Sequence, residues 1–348
     1  MGAFQVARPP VSPRTGTSAT DDVPDAGPYL KAPSMARPRR SEEMIVEIAR
    51  LRYEQRLPQT EIARQLEISE ATVSRALKSA LDLGYIEFQV TPKAFRDSAV
   101  EQRLKAHLGL RLAIVVENRP GLHAPLDILG KAVARVIEDT LKTGDALGVS
   151  DGATTAAIAA AARRAPAHDL DVVALVGGVG APEHYTHSSE VCRRLAAGLG
   201  AQAWQLPVPA IVDDADAARL LGETGTVRGV FSKMDRLAVA VVGVGAISAT
   251  AMVFREGFIA PGKLEEIRAH GAVGTICGRF FGRDGKPVGT EFDDRTLCIS
   301  LERLSRVPLA IAAALSPSKA EAIRAAVAGG LVNAVATDVE TAEALMAL

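Results

Sequence analysis

The chain has 348 residues, 48% hydrophobic and 23% charged, with a formal net charge of −1 at pH 7. Such a length suggests two domains with an added tail, and the near-neutral balance means that any nucleic-acid contact must rest on local positive charge. Three widely spaced cysteines without a CxxC motif speak against a disulfide framework or a zinc site, and no apolar run of membrane-spanning length or secretory signal is found, so a cytoplasmic protein with no membrane partner is expected.

Residues 1–36 hold Pro9, Pro10, Pro13, Pro24, Pro28 and Pro33 without hydrophobic periodicity, and read as a disordered tail. Arg37-Pro38-Arg39-Arg40 follows, either a solvated linker or a basic arm against DNA phosphates. Residues 37–92 read as a compact helical domain. Ser41 with Glu42 and Glu43 predicts a capped helix start, and Met44, Ile45, Ile48, Leu51 and Arg52 share one face of that helix. Pro58 ends it, and Gln59-Thr60 opens the next.

Gln59 to Gly84 carries the pattern of a helix-turn-helix. Ile62, Ala63 and Leu66 line a short helix, Ile68 sits in the turn, Ser69 caps the following helix, and Val73, Leu77, Ala80 and Leu81 are expected to point inward. Glu70, Ala71, Ser74, Arg75 and Lys78 then face outward. Arg75 has the planar fork to read a guanine edge, and Ser69, Thr72, Ser74 and Lys78 are further candidate DNA contacts. A plain helical hairpin shares much of this pattern. Glu67 stands where a turn glycine is usual, and Glu42 to Lys93 holds more acidic than basic residues. The Thr72-Val-Ser-Arg75 run favours DNA, since a pure packing helix has no use for hydroxyls and a guanidinium at its exposed start.

Residues 93–348 repeat an apolar strand, a Gly-rich loop and a helix, which predicts a Rossmann-like α/β domain with a mostly parallel sheet. Leu112–Val116, Ala146–Val149, Val172–Val176 and Leu237–Val242 are the clear strands, with Leu126–Leu141, Ala156–Arg163 and Ser188–Leu199 as helices. The first loop, Gly148 to Thr155, leads from a strand into a helix. Its glycines, the helix N-terminus and the hydroxyls of Thr154 and Thr155 suit a phosphate or a polyol. Gly177-Gly-Val-Gly180 and Gly243-Val-Gly245 follow two further strands, and neither completes a dinucleotide fingerprint, so no cofactor is expected. His184, His187 and Cys192 are too loosely spaced for a metal site. Ser188, Ser189 and Glu190 look like a helix start. Asp151 is the one candidate catalytic carboxylate, and no partner base is indicated, so no catalytic set is assigned.

Several stretches in order resemble the SorC family of sugar-binding transcription regulators. Besides the helix-turn-helix, Gly144 to Thr155 (GDALGVSDGATT) resembles the family's GxxIGVGWGxT, and Val241 to Ile247 its VGxGxI strand. Gly271 to Gly285 is similar to GAVGxxxGxFFDxxG, and Asn333 to Asp338 with Thr341-Ala342 to its closing N-x-L-I-T-D-x-x-T-A run. The resemblance implies a large domain folded like sugar-phosphate isomerases and deaminases, binding a sugar, polyol or sugar phosphate without catalysis. It implies an effector loop of Gly148, Gly152, Thr154 and Thr155, with Gly178, Gly243 and Gly245 along the same edge. Lys319 matches the family's lysine, and Arg279 is a further candidate anion partner. Double-stranded operator DNA and a homotetramer built from dimers are the implied partners. The chain departs from the family in two places. Ser150-Asp151 replaces a Gly-Trp pair, placing an acid where it opposes a dianion but can accept hydrogen bonds from hydroxyls. Leu315-Ser316-Pro317-Ser318 replaces the paired glycines before Lys319. The rival expectation is a sugar-phosphate isomerase or deaminase with an added helical domain.

Overall fold

The computed structural model describes residues 39–55, 57–86, 95–118, 124–179, 184–249, 254 and 259–348. The tail, Arg37, Pro38 and Gly180 lie outside them. The chain divides into two compact units, one ending at Thr91 and the other beginning at Pro92.

In the first unit, the helices among the described residues are α1 (Arg39–Tyr53), α2 (Gln59–Gln65) and α3 (Glu70–Asp82). α1 already runs from Arg39, so Ser41, expected at the helix start, lies within the helix. Pro58, at φ −63°, starts α2, where a missing N–H leaves no intrahelical bond unmade. Ile48, Leu51, Ile62, Ala63, Val73, Ala76 and Leu77 form the core. The buried face of α3 is Val73, Ala76, Leu77 and Ala80, whereas Leu81, expected inward, is 39% exposed. Leu81 is about 100° around the helix from Ala80 and falls off the stripe that meets α1 and α2.

The turn between α2 and α3 closes by backbone bonds from Ile68 N–H to Ala63 C=O (3.0 Å) and Glu67 N–H to Arg64 C=O (3.4 Å). This pattern requires a left-handed residue at the first position past the helix cap, and Glu67 takes it at φ +54°. The turn therefore forms without glycine, at a cost of about 1 kcal/mol.

The second unit is built on a seven-stranded, wholly parallel sheet in the order β1-β10-β9-β5-β2-β3-β4. In chain order its strands are β1 (Leu112–Val116), β2 (Ala146–Val149), β3 (Asp171–Ala174), β4 (Gln202–Trp204), β5 (Leu237–Val242), β9 (Leu309–Ala313) and β10 (Ala334–Asp338). A small antiparallel sheet of β6 (Gly245–Ala246), β7 (Gly274–Ile276) and β8 (Arg279–Phe281) branches off after β5. The helices are α4 (Ser98–Leu108), α5 (Pro125–Thr140), α6 (Ala153–Ala161), α7 (Ser188–Leu199), α8 (Ala215–Gly222), α9 (Gly225–Met234), α10 (Leu264–Ala269), α11 (Leu301–Ser305), α12 (Ala320–Ala328) and α13 (Val339–Ala347).

β2, β9 and β10 are buried along their whole length, so both sheet faces are covered, as parallel strands require. The expected strand over 172–176 lies one to two residues earlier, at Asp171–Ala174, and the helix expected from Ala156 begins at Ala153. All strands share one direction, so their C-terminal ends lie along one edge. From β2 the chain proceeds to β3 and β4 on one side, while β5 leads to β9 and β10 on the other. The adjacent ends of β2 and β5 thus form a topological switch point, where open α/β sheets leave a crevice.

Candidate functional site

A cavity of about 650 Å³ opens at this switch point. One wall is the loop after β2, Ser150 to Thr155, and another is Gly243 to Ala246 after β5. The Ser150 hydroxyl joins them, donating to the Asp151 carbonyl (3.0 Å) and accepting from the Gly243 N–H (3.0 Å). Gly152, at φ +115°, turns the chain into α6, and its N–H bonds the Thr186 carbonyl (3.0 Å). That bond holds the His184–Thr186 segment against the cavity. The His184 and Tyr185 rings stack at 4.9 Å there, and His184 Nδ1 lies 2.7 Å from Thr186 Oγ1.

An acidic and a basic side chain line the cavity, Asp151 and Lys319. Burial pushes the Asp151 carboxyl up to about 6, opposed only by its own backbone amide. Burial likewise lowers the Lys319 ammonium from the ordinary lysine value, and no neighbouring charge offsets it. The two groups form no ion pair with each other or with any other described residue.

Lys319 is held by the segment after β9. Ser316 there has φ +108° and ψ +124°, a conformation close to the region kept almost entirely to glycine. Its N–H donates to Thr341 Oγ1 (3.0 Å), its hydroxyl meets Ser318 Oγ at 2.7 Å, and its carbonyl accepts from Lys319 N–H (3.0 Å). The loop therefore takes up a glycine-like backbone although the paired glycines are absent. Cys277, also on the lining, is likewise left-handed at φ +51°. Its thiol is pushed well above the ordinary range by burial, with Cys298 and Asp151 adding to the shift, so it is a poor nucleophile.

Of the candidate effector residues, Asp151, Gly152, Thr154, Thr155, Gly243, Gly245 and Lys319 meet on this cavity. Gly148, Gly178 and Arg279 are not on its lining. Gly148 is a packing glycine inside β2, where a Cβ would sit 2.7 Å from a Leu175 methyl. Gly178 packs on the His187 ring, which a Cβ would meet at 2.6 Å. The Arg279 guanidinium is engaged by the Asp293 carbonyl, the Thr296 carbonyl (3.0 Å) and Cys298 Sγ (3.2 Å). Its fork closes a loop and is not turned to the cavity.

Sequence reasoning missed Thr275, Ser248 and Ser318 on the lining. The Thr275 hydroxyl is the notable one. The residue is only 9% exposed, and its Oγ1 is a buried side-chain atom with no hydrogen-bond partner among the described residues. His187 caps α7 through Nδ1, accepting from Ser189 N–H (3.2 Å), so the helix start expected at Ser188 is real but a histidine provides the cap. No group of three or more His, Cys, Asp and Glu side chains among the described residues is arranged to hold a metal ion.

On the first unit, Ser69 caps α3 by accepting from Thr72 N–H (3.2 Å), and the two hydroxyls lie 2.8 Å apart. Ser69, Ser74, Arg75 and Lys78 are exposed and Thr72 is half-buried. Arg75 Nε bonds the Ala71 carbonyl (3.2 Å), and its terminal nitrogen lies 3.4 Å from Thr72 Oγ1, which lays the guanidinium over the first turn of the helix. All five candidate DNA contacts are thus presented by the start and outer face of α3.

Residues 93–347 match the family described as "Putative sugar-binding domain", and residues 47–82 match region 4 of sigma-70 factors. The chain is 29% identical to the deoxyribonucleoside regulator of Bacillus subtilis over 88% of its length and 98% of that protein's. It is 30% identical to the erythritol catabolism regulatory protein EryD of Brucella abortus, covering 83% of this chain and 92% of that one. The crystal structure of the full-length sorbitol operon regulator SorC from Klebsiella pneumoniae superposes with a TM-score of 0.68 at 28% identity, over 88% of this chain and 98% of that one. The match spans both units, and the chain belongs to the SorC family of sugar-binding transcriptional regulators.

Proposed function

We propose that this protein binds operator DNA through α3 and that a small carbohydrate in the β2–β5 cavity sets its affinity for that DNA. The observation that carries the reading is the pairing, in one chain, of a helix start that exposes Ser74 and Arg75 with a polar cavity at a sheet switch point. Two ligands that each prefer one arrangement of a protein are coupled by linkage, so the effector changes DNA affinity to the extent that it binds one arrangement better. The relatives named for erythritol, sorbitol and deoxyribonucleosides support carbohydrate utilisation as the regulated process.

The protein acts without catalysis. The Asp151 carboxyl pairs with no base or cation among the described residues, and the cavity's thiol is buried and protonated. We place the protein in the cytoplasm, with the operator DNA it binds. It works as a homotetramer, a dimer of dimers. Met44, Val46, Leu81, Leu83 and Tyr85 leave large apolar side chains exposed on the first unit, surface that suits self-association. Residues 37–92 serve as the DNA-binding domain and 93–348 as the effector domain, with 1–36 as a tail.

A gel-shift titration on DNA from upstream of the protein's own operon, with a panel of sugars, polyols and their phosphates, tests this. A retarded band altered by one compound is the expected result. Turnover of a sugar phosphate by the purified protein, lost in Asp151→Asn, would establish the enzyme instead.

A further inference from the structure

We propose that the cavity takes an unphosphorylated polyol or sugar, whose hydroxyl groups are gripped by the Asp151 carboxylate and the Thr275 hydroxyl, and that Asp151 selects against the phosphorylated form. The inference rests on the reading of this cavity as the effector site.

The N-terminus of α6 faces the cavity with no side-chain cap, and a helix start of this kind attracts anions. Asp151 stands one residue before the Gly152 cap and brings a carboxylate, ionised at pH 7.5, to that same place. A phosphoryl dianion seated on the helix would meet this carboxylate, and Lys319, the one lysine or arginine among the described lining residues, makes no ion pair with it. A hydroxyl meets no such opposition. An ionised carboxylate offers only acceptor sites, which is what vicinal hydroxyls require.

Thr275 is the independent observation. It lies in the middle of β7, opposite Gly245 of β6. A Cβ on Gly245 would come within 2.9 Å of the Thr275 methyl, so the glycine leaves space for that methyl against the neighbouring strand. Thr275 lines the cavity and is nine-tenths buried, and its hydroxyl has no partner among the described residues. Leaving a buried hydroxyl unpaired costs about as much as a lost hydrogen bond, so a partner arriving through the cavity is the natural explanation. A hydroxyl group both donates and accepts, and fits Thr275 whichever way its proton points.

The charge balance agrees. Asp151 and Lys319 sum to zero across the lining, which matches a neutral ligand and leaves a dianion in excess. Lys319 can donate to ligand hydroxyl oxygens from the opposite loop. The volume of about 650 Å³ is ample for a sugar-sized molecule.

The test is calorimetric titration of the full-length protein with sorbitol, erythritol, ribose and glucose, each beside its phosphate monoester, and with inorganic phosphate. The expected result is that at least one neutral compound binds and its phosphate ester binds roughly tenfold more weakly or worse, the size of one lost charged hydrogen bond. Asp151→Asn should narrow that preference. Thr275→Val should weaken the neutral compound roughly tenfold without lowering the unfolding transition of the unliganded protein, and Thr275→Ser should restore binding. A phosphate ester that binds as tightly as its parent overturns this inference and leaves the effector reading standing. Failure of every compound, phosphorylated or not, overturns both.

Discussion

Replacing Asp151 by asparagine keeps its shape and removes its charge, and the structure predicts a more stable protein. Burial moves the carboxyl from 3.8, the ordinary aspartate value, to about 6. The displacement is roughly a hundredfold in proton affinity, and each tenfold is about 1.4 kcal/mol, so holding the group ionised at pH 7.5 costs the folded state about 3 kcal/mol. The sign follows from proton binding. Between pH 4 and 6 the folded protein holds this proton and the unfolded chain has released it, so the stabilisation available at low pH is lost as pH rises through that window. Asp151→Asn escapes this loss. Urea unfolding of the unliganded protein should show the variant more stable by up to about 3 kcal/mol at pH 7.5, with the gain vanishing near pH 4. The same variant should respond poorly to a neutral effector. A residue that weakens the empty fold and serves the ligand is expected at a binding site. A variant that is less stable at pH 7.5, or whose difference from wild type does not change between pH 4 and 7.5, would refute the burial argument.

Arg75→Ala should lower DNA affinity by about 1–3 kcal/mol, read by fluorescence anisotropy, while leaving oligomer size unchanged, because the side chain is exposed on α3. Ser316→Gly should raise stability by about 1 kcal/mol in urea, since glycine takes φ +108° without strain; a loss would mean that the loop is relaxed with serine. Asp171→Ala should cost about 2–4 kcal/mol in the same assay. Asp171 accepts from the Trp204 indole N–H (2.7 Å) and Lys233 Nζ (2.6 Å), both half-buried, and its removal leaves the two donors unpaired where β3, β4 and α9 meet. A change under about 0.5 kcal/mol would show the triad to be solvated.

The parts of the fold legible in the sequence are those with an unambiguous period. Leu112–Val116, Ala146–Val149 and Leu237–Val242 are unbroken apolar runs between turn signals, and each is a strand with those bounds. Ser188–Leu199 is a helix over the residues expected. β9 (LAIAA) was not read as a strand because alanine carries no strand preference, and its place is set by pairing with β5 and β10. β6, β7 and β8 are two or three residues each, too short to show any alternation.

The site divides along the same line. Asp151, Gly152, Thr154 and Thr155 were found because a strand–glycine–helix succession is local. Thr275 was invisible, because an unpaired hydroxyl is a property of what surrounds it. Arg279 illustrates the converse, since a guanidinium near glycine loops reads as an anion ligand until its carbonyl partners are seen. Glu67 and Ser316 show why a missing glycine is weak evidence against a turn. Both backbones take the left-handed or glycine-like conformation, and the packing around them supplies the difference.

The central claim is that occupancy of the β2–β5 cavity sets the affinity of α3 for DNA. The direct measurement is the dissociation constant of the full-length protein for labelled upstream DNA, with and without a saturating neutral compound that binds by calorimetry. The account predicts a change of about 5- to 150-fold, the usual range of coupling between sites. It also predicts that Thr275→Val moves the midpoint of that change to higher concentrations of the compound. An unchanged dissociation constant at full occupancy of the cavity would contradict it.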